Sequence, residues 1–112
     1  MQPGNFVLLA KMVNGAAVGC VSLKRFEENI GEVRRMYVKP EARGYGLGRL
    51  LMQELIIRAQ AFKYGKIYLN SLKKFTHAHR IYEALGFSYI PAYDPAATQE
   101  MRENMIFMEK DL

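Results

Sequence analysis

The first third of the chain is written in short apolar, β-compatible runs separated by turn residues. Residues 6–13 predict a strand, and the Asn14-Gly15 dipeptide after it predicts a two-residue turn with positive φ at both positions. Residues 16–26 then read as the return strand of a hairpin. Residues 27–31 make a second turn and residues 32–38 a third strand, which Pro40 stops because proline cannot donate to a ladder. Past Gly46 the period changes. Leu47, Leu50, Leu51, Leu55, Ala59 and Phe62 fall near one face of a helix over residues 47–62, with Gly65 in its C-cap region. Residues 66–72 return to strand alternation, with Ile67 and Leu69 on one face. Thr76 is placed to cap a second helix, whose stripe is Ala78, Ile81, Tyr82 and Leu85 and whose end is Gly86. A short strand over 88–92, a loop over 93–103 and a closing strand over 105–109 complete the chain.

The order β-β-β-α-β-α-β-β predicts an α/β (α+β) fold with a mixed, mainly antiparallel sheet. Its central strand–helix–strand crossover brings in a parallel strand. With 112 residues, no repeat and no linker, residues 1–112 form one domain. A composition of 50% hydrophobic and 24% charged residues suits a packed core. The lone Cys20 excludes an internal disulfide, and His77 with His79 are too few for a zinc site without carboxylate help. No run approaches the roughly 20 apolar residues of a membrane span, and residues 1–5 lack the pattern of a secretion signal. A cytoplasmic protein with no metal and no membrane partner is the expectation. The net charge of +5 is scattered in doublets such as Lys24-Arg25, Arg34-Arg35 and Lys73-Lys74. Spread charge of this kind describes a solvated surface, and a phosphate-rich small ligand profits from it; nucleic acid ranks last, because no nucleic-acid motif accompanies it.

Residues 38–49, VKPEARGYGLGR, carry the chemistry. They join a strand end to a helix start through Gly44, Gly46 and Gly48. Glycine lets the backbone approach a ligand closely, and the following helix aims unsatisfied N–H groups and its positive dipole end at the loop. The result is an anion site suited to a diphosphate. A P-loop needs Gly-Lys-Ser/Thr, whereas here Gly48 precedes Arg49-Leu50. The dinucleotide fingerprint G-x-G-x-x-G fits no better, since this loop reads G-x-G-x-G.

The string Arg43-Gly44-Tyr45-Gly46-Leu47-Gly48 resembles the R/Q-x-x-G-x-G/A signature of the GNAT superfamily of N-acetyltransferases. Tyr37-Val38 before it, and Ala78-His79-Arg80-Ile81-Tyr82 with Gly86-Phe87 after it, resemble that family in order and spacing. The resemblance implies acetyl-CoA as cosubstrate, with Met36, Tyr37 and Val38 lending backbone groups to the pantetheine arm. It implies a diphosphate on the amides of Arg43, Gly44, Tyr45, Gly46, Leu47, Gly48 and Arg49. Tyr82 takes the place of the tyrosine that protonates the departing thiolate. Acetyl transfer also needs a neutral amine, and deprotonating a lysine-like amine at pH 7 costs about 4.6 kcal/mol. Glu32 is the candidate base, against its plain alternative as a surface glutamate beside Arg34. For Tyr82 the plain alternative is core packing, for His77 and His79 solvent exposure, and for Cys20 a small buried residue. Lys73 and Lys74 are candidates for the coenzyme's 3′-phosphate or merely an exposed pair.

Two departures from the family stand out. Phe75 occupies the position of an asparagine that contacts the coenzyme, a contact Asn70 or Ser71 would replace. The family's usual first strand and two helices have no counterpart, so the acceptor pocket is shortened or completed by a second copy, and a homodimer is expected. The function expected is an N-acetyltransferase acting on a primary amine, small molecule or peptide, by direct attack in a ternary complex. The alternative is a non-catalytic coenzyme A-binding module.

Overall fold

The computed structural model describes residues 3–112. Six strands, β1 (Phe6–Lys11), β2 (Ala17–Glu27), β3 (Ile30–Val38), β4 (Lys66–Leu72), β5 (Ser88–Ile90) and β6 (Met105–Asp111), form one sheet in the order β1-β2-β3-β4-β6-β5. Helices α1 (Leu47–Ala61), α2 (Thr76–Ala84) and α3 (Gln99–Asn104) connect them. Every pairing is antiparallel except β3 with β4, the parallel neighbours on either side of the α1 crossover. The mixed, mainly antiparallel sheet expected from the sequence is therefore present.

One core lies between the sheet and helices α1 and α2. It joins Val21, Leu23 and Val33, Leu51, Met52, Leu55 and Ala59, Ile67 and Leu69, and Tyr82 with Phe87. Met52 takes the place given to Leu50, which is 58% exposed, because the buried α1 positions follow the i, i+1, i+4, i+8 line from Leu51. Phe62, also placed on that face, is about half exposed and stacks on Phe6.

Local differences from the expected elements have local causes. At the first hairpin only Gly15 has positive φ (89°). The Gly15 N–H donates to the Met12 carbonyl and the Met12 N–H to the Ala16 carbonyl, both at 2.8 Å, so the loop has three residues (13–15) rather than two, with Gly15 as its left-handed last residue. Helix α1 ends in a Schellman motif with Lys63 (φ 64°) as its left-handed residue. Tyr64 N–H bonds to the Ala59 carbonyl and Lys63 N–H to that of Gln60. Gly65 instead lies against the Asn29 side chain, in the space a Cβ would need. Thr76 is the first residue of α2 and makes no side-chain cap. Gly86 (φ 95°) closes α2 as expected, with Phe87 N–H bonded to the Tyr82 carbonyl. Part of the expected loop over 93–103 is α3, capped by the Thr98 hydroxyl accepting from Met101 N–H at 3.1 Å.

Candidate active site

The parallel seam between β3 and β4 is short. Pairing runs Ile30↔Lys66, Gly31↔Ile67, Glu32↔Tyr68 and then stops, so the rest of the two strands splay apart. A bulge reinforces the divergence: between Cys20 and Ser22 on β2, β3 carries an extra residue, and Arg35 there has φ 56°. The β3 edge beyond Glu32 thus keeps backbone donors and acceptors free of β4. The opening is a cleft of about 920 Å³ between the β3 edge, the start of α1, the end of β4 and the start of α2.

The floor of the cleft at α1 suits an anion. After β3 the chain makes one 3-10 turn (Pro40–Ala42), anchored by the Arg43 Nε donating to the Val38 carbonyl at 2.8 Å. Gly44 (φ 89°) and Gly46 (φ 78°) are both left-handed, and Gly46 is the N-cap of α1. No side chain caps this helix and its first turn contains no acidic residue. The first helical amide to find an internal partner is that of Leu50, on the Gly46 carbonyl at 3.1 Å, which leaves the amides of Leu47, Gly48 and Arg49 without one. A Cβ on Gly44 or Gly46 would meet nothing within 4 Å. One on Gly48 would press on the Met36 methyl at 2.7 Å, so this glycine lets α1 lie close to β3.

Of the residues expected to hold the coenzyme, Tyr45 alone does not line the cleft; it is 78% exposed. Tyr37 is half exposed beneath the Arg43 guanidinium, 5.7 Å from its ring centre. Tyr82 is 5% exposed and lines the cleft from α2. Burial pushes its phenol up from 10.0 to about 12, because the phenolate is poorly solvated there. Lys74 lines the cleft, whereas Lys73 does not. His77 is exposed, but His79, expected at the surface, is 5% exposed and its Nε2 lies 3.0 Å from the Ser71 hydroxyl. Cys20 is half-buried in mid-strand.

Glu32 does not line the cleft itself. At 6% exposure it sits on the sheet face away from the core, with both carboxylate oxygens engaged. Arg34 Nη1 donates to Oε1 at 2.7 Å and the Tyr93 hydroxyl to Oε2 at 2.6 Å. The surface glutamate envisaged as its plain alternative is therefore excluded, although the Arg34 pairing holds. Asn70 Nδ2 in turn donates to the Tyr93 oxygen at 3.0 Å, linking the carboxylate to the cleft wall. Tyr93 stacks on Tyr68 at 4.2 Å and meets Phe26 and Phe107 edge-on. Its phenol is raised above the ordinary range, first by burial and then by the bond to Glu32. Sequence reasoning missed Tyr93, which lies in a stretch with no periodicity to mark it.

Comparison with known proteins agrees with this geometry. The family model described as "Acetyltransferase (GNAT) family" matches residues 1–87. An uncharacterised N-acetyltransferase of Schizosaccharomyces pombe is 35% identical over 92 residues, covering 81% of this chain and 56% of that protein. The N-acetylaspartate synthetase of Xenopus tropicalis is 32% identical over 111 residues, covering 95% of this chain and 41% of that enzyme. The chain thus spans about half the length of these relatives. Among solved structures, a candidate acyl-CoA N-acyltransferase of Klebsiella pneumoniae superposes with a TM-score of 0.88 at 28% identity, covering 100% of this chain and 76% of that one. With the family model spanning most of its length and the fold reproduced throughout, this chain belongs to the GNAT acetyltransferase family.

Proposed function

We propose that the chain binds acetyl-CoA in the cleft and transfers the acetyl group to a primary amine by direct attack within a ternary complex. The observation that carries this reading is the uncapped start of α1, opening onto the same cleft as the unpaired β3 edge and the Tyr82 phenol. The diphosphate rests on the amides around Gly46, where three N–H groups without a partner among the described residues and the helix dipole favour negative charge. Beyond Glu32 the β3 edge offers Met36, Tyr37 and Val38 for main-chain pairing with the pantetheine arm, as an added strand would pair.

In the transfer, the amine nitrogen attacks the thioester carbonyl carbon. A C–N bond forms as the C–S bond breaks, backbone N–H groups near Val38 meet the developing oxyanion, and the thiolate departs. The amine's proton passes through solvent to the Glu32 carboxylate. Tyr82 hydrogen-bonds the leaving sulfur and supplies its proton, which solvent restores. At about 12 the phenol is a weaker acid than an exposed tyrosine. Its largest contribution is therefore the hydrogen bond to the thiolate as charge develops, before the proton moves. The relative named N-acetylaspartate synthetase makes L-aspartate the first amine to try.

Titration calorimetry with acetyl-CoA, followed by a thiol-release screen over amine classes, tests the proposal. Tight coenzyme binding with turnover on at least one amine is expected. Binding without turnover on any amine would favour the non-catalytic module, and no binding would remove both. The homodimer remains part of the proposal, supported by the exposed apolar residues Val7, Leu9 and Tyr37 on one sheet face; a monomeric mass by light scattering would refute it.

A further inference from the structure

The hydrogen bonds around Tyr93 fix which way the Asn70 amide faces. On β4, side chains alternate between faces: Ile67 and Leu69 enter the core beneath α1 and α2, so Tyr68 and Asn70 emerge on the opposite face. Glu32, paired in register with Tyr68, shares that face. A phenol has one proton and two acceptor sites. The Tyr93 proton is committed to Glu32 Oε2, so the Tyr93 oxygen can only accept from Asn70, and it takes the Nδ2 hydrogen. The Asn70 carbonyl oxygen, Oδ1, is thereby turned away from Tyr93. Among the described residues no protein donor reaches it, and no buried side-chain oxygen or nitrogen lacks a partner. Oδ1 is therefore accessible to solvent, on a residue that lines the cleft. An outward carbonyl oxygen accepts hydrogen bonds and cannot donate them.

We propose that Asn70 Oδ1 receives one N–H of the acceptor amine, and that Tyr93 is the positioning residue that holds the amide in this orientation. The inference rests on the acetyltransferase reading and names the acceptor side of that site. The phosphates and pantetheine are assigned to the α1 start and the β3 edge. The face bearing Asn70, Glu32 and Tyr93 is left for the second substrate.

The chemistry narrows the acceptor class. A neutral primary amine has two N–H bonds, so one can point to Asn70 while the other is lost to the base. A secondary amine has a single N–H and cannot do both. The site therefore selects primary over secondary amines through a hydrogen bond, in addition to any steric exclusion.

The test compares kcat/KM for matched pairs, L-aspartate with N-methyl-L-aspartate and benzylamine with N-methylbenzylamine, in the wild type and three variants. In Asn70→Leu, with the same branching and number of heavy atoms but without the oxygen, the preference for the primary amine should fall roughly tenfold, while the Kd for acetyl-CoA stays within about twofold. Asn70→Asp, which keeps an oxygen, should retain the preference. Tyr93→Phe keeps the ring packing but frees the amide, and should lose roughly threefold of it. An undiminished preference in both Asn70→Leu and Tyr93→Phe would overturn the inference while leaving the acetyltransferase reading intact. A weakened coenzyme Kd in Asn70→Leu with the preference unchanged would reassign Asn70 to the coenzyme. Absence of turnover on every amine by the wild type would remove the acetyltransferase reading and this inference with it.

Discussion

Replacing Gly46 by alanine separates what the proposed phosphate loop does for folding from what it does for binding. Gly46 has φ 78°, and an added Cβ meets nothing within 4 Å, so packing contributes no penalty. The cost is the left-handed backbone, about 1–2 kcal/mol for a residue with a Cβ. For a domain of this length each kcal/mol lowers Tm by about 4 °C, so a fall of about 4–8 °C is expected. Gly15 is the matched control, with φ 89° and equally open surroundings, at a hairpin that does not line the cleft. Gly15→Ala should lose similar stability. Only Gly46→Ala puts a methyl where a diphosphate would approach the amides. Losing one charge-assisted hydrogen bond costs about 1.5–3 kcal/mol, or roughly 10- to 150-fold in Kd for acetyl-CoA. Scanning calorimetry gives the first quantity and titration calorimetry the second. Equal losses of Tm with an unchanged Kd in Gly46→Ala would refute the phosphate-loop assignment.

Tyr82→Phe should lower turnover roughly 10- to 1,000-fold with coenzyme affinity preserved; unchanged turnover would clear Tyr82 of any role at the leaving group. The same side chain sets an alkaline limit on stability. Its phenol titrates at about 12 in the folded chain against 10.0 unfolded, so the unfolded chain releases its proton first as pH rises. Stability present below pH 10 is then lost through the window from 10 to 12, by roughly 2–3 kcal/mol from this residue. Urea midpoints of Tyr82→Phe should fall less steeply there than those of the wild type, and parallel curves would contradict the burial effect. In the core, Leu55→Ala should cost about 2–5 kcal/mol in urea unfolding, since Leu55 is fully buried between α1 and the sheet. A loss below 1 kcal/mol would mean that the packing is looser than described.

The strand and helix order was legible because the period changes cleanly at Gly46, and the glycine loop was legible because its spacing is chemically specific. Leu50 was counted on the buried face and Met52 left out because both are apolar and flank Leu51. Only the direction in which α1 faces the sheet decides between them. Lys63 and Gly65 show a similar limit: a lysine at φ 64° has no sequence signature, whereas glycine invites the assignment. Tyr93 was invisible for a deeper reason. Its partners Glu32 and Asn70 are 61 and 23 residues away, and nothing local in residues 91–98 marks a side chain that closes a long-range network.

The brevity of the parallel seam has a mechanical consequence. With β3 and β4 joined over only three residue pairs, the sheet is two antiparallel blocks stitched along a short line. A molecule lodged in the opening touches both blocks at once, so it works as a staple across the weakest join of the sheet. Amides flanking that line, around residues 30–32 and 66–68, should exchange with solvent most slowly when the cleft is filled. An empty cleft is then the state in which the two blocks are least firmly tied.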